Sequence, residues 1–120
     1  MKDLRFNPRS AIEIRNKEKT CSVRFGTKYV GQFEPGEIIQ LYIDIKPLAQ
    51  VKVTAIETKK ISEITEEDLA GHSSYAKTPD TLKLTLNGYY GRQLGRKVND
   101  EDTVTIIRWE YQEESEKPSE

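Results

Sequence analysis

Apolar residues change period several times along this chain, and each change marks an element. "DLRF" is a short first strand. "NPRSAIEIRNK" reads as a helix, with Asn7 as its cap, Pro8 at the first helical position, and Ala11, Ile12 and Arg15 on a common side. "KTCSVRF" alternates as a strand with Cys21, Val23 and Phe25 on one face. "FEPGE" puts Pro35-Gly36 at the middle of a type II turn, and "EIIQLYI" follows as a nearly continuous apolar strand of a sheet interior. "KPLAQ" reads as a break, after which "AQVKVTAIE" alternates again through Val51 and Val53.

The second half begins differently. "ITEEDLAGH" sets Thr65 three residues before Asp68, a capping-box-like start for a short helix stopped by Gly71. "TPDTLKLTLNGYYG" starts with Thr78 as cap and Pro79 at the first position. It then places Leu82, Leu86, Tyr89 and Tyr90 on one helical face, although Leu82-Leu84-Leu86 also fits a strand. "VNDED" is a turn, and "TVTIIRWEY" is a final strand rich in β-branched and aromatic residues. The order is β-α-β-β-β, two short helices, then β. It implies an α+β protein built on a small closed or nearly closed sheet of about five or six strands, with two or three short flanking helices.

Composition narrows the possibilities. At 120 residues, 35% hydrophobic and 32% charged, the chain is polar but able to fold as one domain. Its apolar runs are too short to span a bilayer, and "MKDLRFNPRS" has no apolar stretch of a secretory leader. One cysteine excludes an internal disulfide, and one cysteine with one histidine is too few for a zinc site, so no cofactor is expected. The expected compartment is the reducing cytoplasm, and the expected state is a monomer. Residues 112–120 hold four acids against one base, a net −3, which leaves residues 1–111 at +2 against an overall −1. The chain thus divides into a mildly basic domain, 1–111, and an acidic, disordered tail, 112–120.

The candidate chemistry centres on Lys19-Thr20-Cys21-Ser22-Val23-Arg24. Ser22 and Arg24 project to one face of their strand, about 6.5–7 Å apart, with Lys19 at its entrance. A lysine eases loss of a hydroxyl proton, and an arginine holds a carbonyl or phosphate oxygen. The competing reading is a solvated polar face. Cys21 faces the apolar side and reads as a small buried hydrophobe. His72 reads either as a titratable group at a cleft or as an exposed loop residue. In "NGYYGRQLGRK", Tyr89, Tyr90, Arg92, Arg96 and Lys97 could stack on bases and meet phosphates. Equally, the tyrosines could join the core and the cations stay solvated.

The ordered set "LRF…AIEIRNKEKTCSVRFG…FEPGEIIQLYI…VKVTAIE…ISEITEEDLAGHSS…IIRWEY" resembles an ASCH domain of the PUA-like superfamily. The motif that carries the resemblance is K-T-x-[ST]-x-R, here Lys19, Thr20, Ser22 and Arg24, supported by the Gly36-Glu37 turn. The resemblance implies a PUA-like β-barrel with a cleft beside the motif strand. It also implies binding of RNA, a nucleotide or a modified base. Some small ASCH proteins are similar to amidohydrolases that deacetylate N4-acetylcytidine. Carried over, Lys19 would move protons and Ser22 would attack. The segment where that mechanism has a glutamate presents His72, Ser73 and Ser74, leaving Glu67, Asp68 and His72 as candidate partners.

The reading is therefore an RNA-, nucleotide- or modified-base-binding domain whose cleft is floored by Ser22 and Arg24. Lys19 stands at its edge, residues 68–74 form one wall, and Thr20, His72, Tyr90, Arg92, Arg96 and Lys97 complete the candidate contacts. Amide hydrolysis of an acylated cytidine is the alternative, and a protein adaptor with no nucleic acid ligand is the third.

Overall fold

The computed structural model describes residues 1–112; residues 113–120, most of the expected acidic tail, lie outside them. The described residues form β1 (Asp3–Phe6), α1 (Ala11–Arg15), β2 (Cys21–Phe25), β3 (Ile38–Ile43), β4 (Lys46–Lys60), α2 (Pro79–Leu94) and β5 (Thr103–Tyr111). The strands make one curled sheet in the order β1-β3-β4-β5-β2, a half-barrel with the expected α+β character. β1 runs parallel to β3, and every other pair is antiparallel.

Alternation along the strands builds two cores on the two faces. Cys21 and Val23 of β2, with Val104 and Ile106 of β5, pack against Leu82 and Leu86 of α2. Ile107 and Trp109 of β5 point the other way, joining Leu4, Ile39, Leu41, Val51, Val53 and Ile14 of α1. β5 is buried on both faces from Val104 to Ile107, so β-branched residues run through that stretch without a polar face. α2 follows its signals closely: Thr78 caps the Thr81 N–H, Pro79 opens the helix, and Gly95 ends it in the left-handed conformation. Among the described residues no helix is long and apolar enough to cross a membrane.

Two local expectations are corrected. The helix expected over residues 7–17 is shorter, Ala11–Arg15, with Ile14 as its buried residue and Ser10 buried just before it. A 3-10 turn over Pro8–Ser10 precedes the helix. "KPLAQ" does not break the sheet. The chain reverses two residues earlier at Asp44-Ile45, with Asp44 at φ +54, and β4 already begins at Lys46. Pro47 fits because it lies at the register shift opposite Tyr42, in a stretch where β5 has not yet begun to pair with β4.

Among the described residues the sheet is not closed by a backbone ladder. Its outer strands, β1 and β2, are joined instead by a side chain: Arg24 Nη2 donates to the Arg5 carbonyl at 2.8 Å. The site lies at this seam.

Candidate functional site

A cavity of about 290 Å³ opens at the seam. β1 contributes Arg5 and Phe6, the strand entrance Lys19, and β2 Ser22 and Arg24. His72 and Tyr75 come from the connection before α2, and Tyr89 and Tyr90 from the helix itself.

The local backbone explains how Lys19 gets there. After α1 the chain turns at Lys17 (φ +62), and the N–H groups of Glu18 and Lys19 both donate back to the Glu13 carbonyl. Thr20 N–H then donates to the Gly71 carbonyl at 2.8 Å, and Thr20 carbonyl accepts from Trp109 N–H at 3.0 Å. The entrance of β2 is thereby clamped between the Gly71 loop and β5. Gly71, at φ +84, sits so close to the Thr20 hydroxyl that a Cβ there would overlap it.

Burial dominates the electrostatics. Lys19 is only 3% exposed, and its Nζ donates to Ser73 Oγ at 2.7 Å. Loss of hydration pulls its amine down to about 8, with the Glu13 charge opposing. His72 is 7% exposed with its Nδ1 unpartnered. Burial first, and the Lys19 charge second, push it down to about 3, so the imidazole is neutral at neutral pH. Arg24 Nε donates to Ser22 Oγ at 2.8 Å, and its guanidinium lies 4.7 Å from the Phe6 ring centre. Burial would raise Glu13, but donation from Ser74 N–H and from the hydroxyls of Ser73 and Ser74 outweighs it and holds the carboxyl low.

The structure brings Lys19, Ser22, Arg24, His72 and Tyr90 to one cavity. The other sequence candidates lie elsewhere. Thr20 packs under Gly71. Asp68 accepts from Lys59 at 2.8 Å and from Thr65 N–H, and its carbonyl accepts from Arg108. Arg96 pairs bidentately with Asp102 at 2.9 and 2.7 Å. Glu67, Arg92 and Lys97 are exposed and do not line the cavity. The expected contact between Lys19 and Ser22 is replaced by two separate bonds, Lys19 to Ser73 and Arg24 to Ser22.

Phe6, Glu13, Ser73 and Tyr75 belong to the site or its support but carried no local motif. Tyr75 is fixed by a 3.2 Å contact between its hydroxyl and Ser10 Oγ and by Arg9, whose guanidinium sits 4.0 Å from its ring centre. The "YAKTP" setting offered no spacing that would have singled Tyr75 out.

Against known proteins, no family model and no curated protein matches the chain. Solved structures do. An ASCH domain from Lactobacillus crispatus JV V101 matches with TM-score 0.68 and 16% identity, over 84% of this chain and 69% of that one. A protein from Enterococcus faecalis V583 matches with TM-score 0.67 and 11% identity, over 93% of this chain and 76% of the other. A Pyrococcus furiosus protein follows with TM-score 0.62 and 18% identity, over 93% and 97% of the two chains. At such identities the likeness fixes the fold. The chain has the fold of an ASCH domain.

Proposed function

We propose that the seam cavity binds a nucleobase-bearing ligand, namely a nucleotide, a modified nucleoside or one unpaired base of an RNA. One observation carries this reading. Three cations, Arg5, Lys19 and Arg24, line the cavity, and no carboxylate of the described residues does. Lys19 and Arg24 keep donors beyond those spent on Ser73, Ser22 and the Arg5 carbonyl, and a ligand rich in keto or phosphate oxygens would accept from them. The rings of Phe6, Tyr75 and Tyr90 offer apolar faces against which a planar base can lie. The volume of about 290 Å³ sits at the small end of ligand clefts, roughly 300–1,000 Å³. That suits one base or nucleoside, with any polymer running outside.

Hydrolysis of N4-acetylcytidine is the second reading, favoured by the Lys19 amine, whose value of about 8 lies close to neutral pH. Against it, the Ser22 hydroxyl is engaged by Arg24 rather than by Lys19. Calorimetric titration with cytidine, N4-acetylcytidine and cytidine 5′-monophosphate, with product analysis of each sample, tests both. Saturable binding without turnover, lost in Arg24→Ala, is expected. Absence of binding by all three would overturn the reading. Conversion of N4-acetylcytidine and water to cytidine and acetate, abolished in Lys19→Ala, would replace it with the second.

A further inference from the structure

The Lys19 amine has a carboxylate, supplied by a helix outside the cavity. We propose that Glu13, acting through Ser73, is the positioning residue of the Lys19 amine, holding it as a cation that donates to a ligand oxygen. This rests on the binding reading above.

Lys19 Nζ donates to Ser73 Oγ at 2.7 Å. A hydroxyl that accepts from an ammonium still has its own proton to give, and it has only one. The Glu13 carboxylate stands beside it: Oε2 accepts from Ser74 N–H at 2.9 Å, while Oε1 is buried and lacks a partner of its own at hydrogen-bond geometry. The Ser73 hydroxyl is also among the groups that keep Glu13 ionised. The spare Ser73 proton and the unpartnered buried Oε1 complement each other, which would run the relay from ammonium to hydroxyl to carboxylate, with the Tyr75 hydroxyl as the competing acceptor. Of the three ammonium protons one is used, and two remain for an occupant of the cavity.

Neither Glu13 nor Ser73 lines the cavity, and Ser73 is fully buried, so neither can meet a ligand directly. Both act through Lys19. The backbone makes the arrangement possible, because Glu18 and Lys19 fold back onto the Glu13 carbonyl and bring Lys19 over its own helix.

The other groups around the amine do not supply the same charge. Arg24 on β2 and Lys77 before α2 press it toward the neutral form, and the imidazole of His72 is uncharged. Tyr111 of β5 meets only the Lys19 carbonyl. Cys21 would favour the ammonium as a thiolate, but burial raises its thiol and keeps it protonated at neutral pH. Glu13 is the anion that remains.

Titration of the Lys19 side chain by carbon-13 NMR, on the full chain without ligand, tests this independently of binding. The expected midpoint lies at about 8 in the parent. It falls by about one pH unit, a tenfold change in the amine-to-ammonium ratio, in Glu13→Gln. It also falls in Ser73→Ala, which keeps both charges and carries the test should Glu13→Gln not fold, and it is partly restored in Glu13→Asp. A purely structural role would lower stability and leave the midpoint in place. An unmoved midpoint in folded Glu13→Gln and Ser73→Ala overturns the proposal. If the midpoint moves but cytidine 5′-monophosphate does not bind the parent, the relay stands and the binding reading falls.

Discussion

Lys19 is held against its own solvation preference, and that makes the site testable through stability. Its amine falls from 10.5 in an unfolded chain to about 8 in the fold. Between these values the unfolded chain keeps a proton that the folded one has lost, so stability rises with pH across that window. Below about 8 the full cost of burying the charge is present, ~3 kcal/mol from the displacement. Lys19→Met removes this cost but leaves Ser73 Oγ without its donor, worth about 1 kcal/mol. Urea denaturation at neutral pH is expected to show a variant more stable by ~1–2 kcal/mol, with the gain shrinking as pH approaches 10.5 and ligand binding lost. A destabilised Lys19→Met would show that the amine is not a strained functional group.

His72 gives a second test, clean because it is the single histidine. Its folded value of about 3 lies below the ordinary 6.5. As pH falls below 6.5 the unfolded chain takes up a proton that the folded chain refuses, and stability drops. From 6.5 down to the ordinary glutamate value of 4.5 the loss is ~2–3 kcal/mol. Denaturation curves of His72→Asn are expected to be flat over that interval where the parent slopes. Parallel slopes would place the imidazole in solvent. Residue alternation was enough to pair Ser22 with Arg24 and to turn Cys21 inward. It could not reveal Glu13 or Ser73, which meet Lys19 only through contacts between distant segments.

Among the elements, α2 and β5 were legible because each carries redundant signals. Thr78 and Pro79 agree with Leu82 and Leu86, and the β-branched run of β5 agrees with its burial on both faces. α1 is shorter than the expected helix because Pro8–Ser10 forms a 3-10 turn, and Asn7 with Pro8 can open either kind of helix. The tolerance of Pro47 depends on a stretch of β4 that pairs with β3 alone, a property of the topology rather than of the pentapeptide. The loop at Gly71 carries the prediction at this scale. Gly36 and Gly71 both have positive φ, +94 and +84, but a Cβ at Gly36 meets open space while one at Gly71 overlaps Thr20. Gly36→Ala is expected to cost about 1 kcal/mol and Gly71→Ala ~2–4 kcal/mol by chemical denaturation. Equal losses would mean that Thr20 yields freely, and that the clamp on the entrance of β2 is weak.

For the whole molecule, the K-T-x-[ST]-x-R motif and the order of elements pointed to the fold of the ASCH domain that the chain matches. The manner of closure was not readable. The seam between β1 and β2 is bridged by Arg24, so the residue proposed to hold the ligand also ties the outer strands together. This explains why a cleft with cationic walls opens there: the sheet has left a gap that one guanidinium spans, and the remaining donors face the space beside it. The measurement that tests the central claim most directly is an amide NMR titration of the full chain with cytidine 5′-monophosphate at neutral pH. Saturable shifts centred on Phe6, Ser22, Arg24, His72, Tyr75 and Tyr90 are predicted. Shifts confined to residues 92–97, or none that saturate, would contradict it.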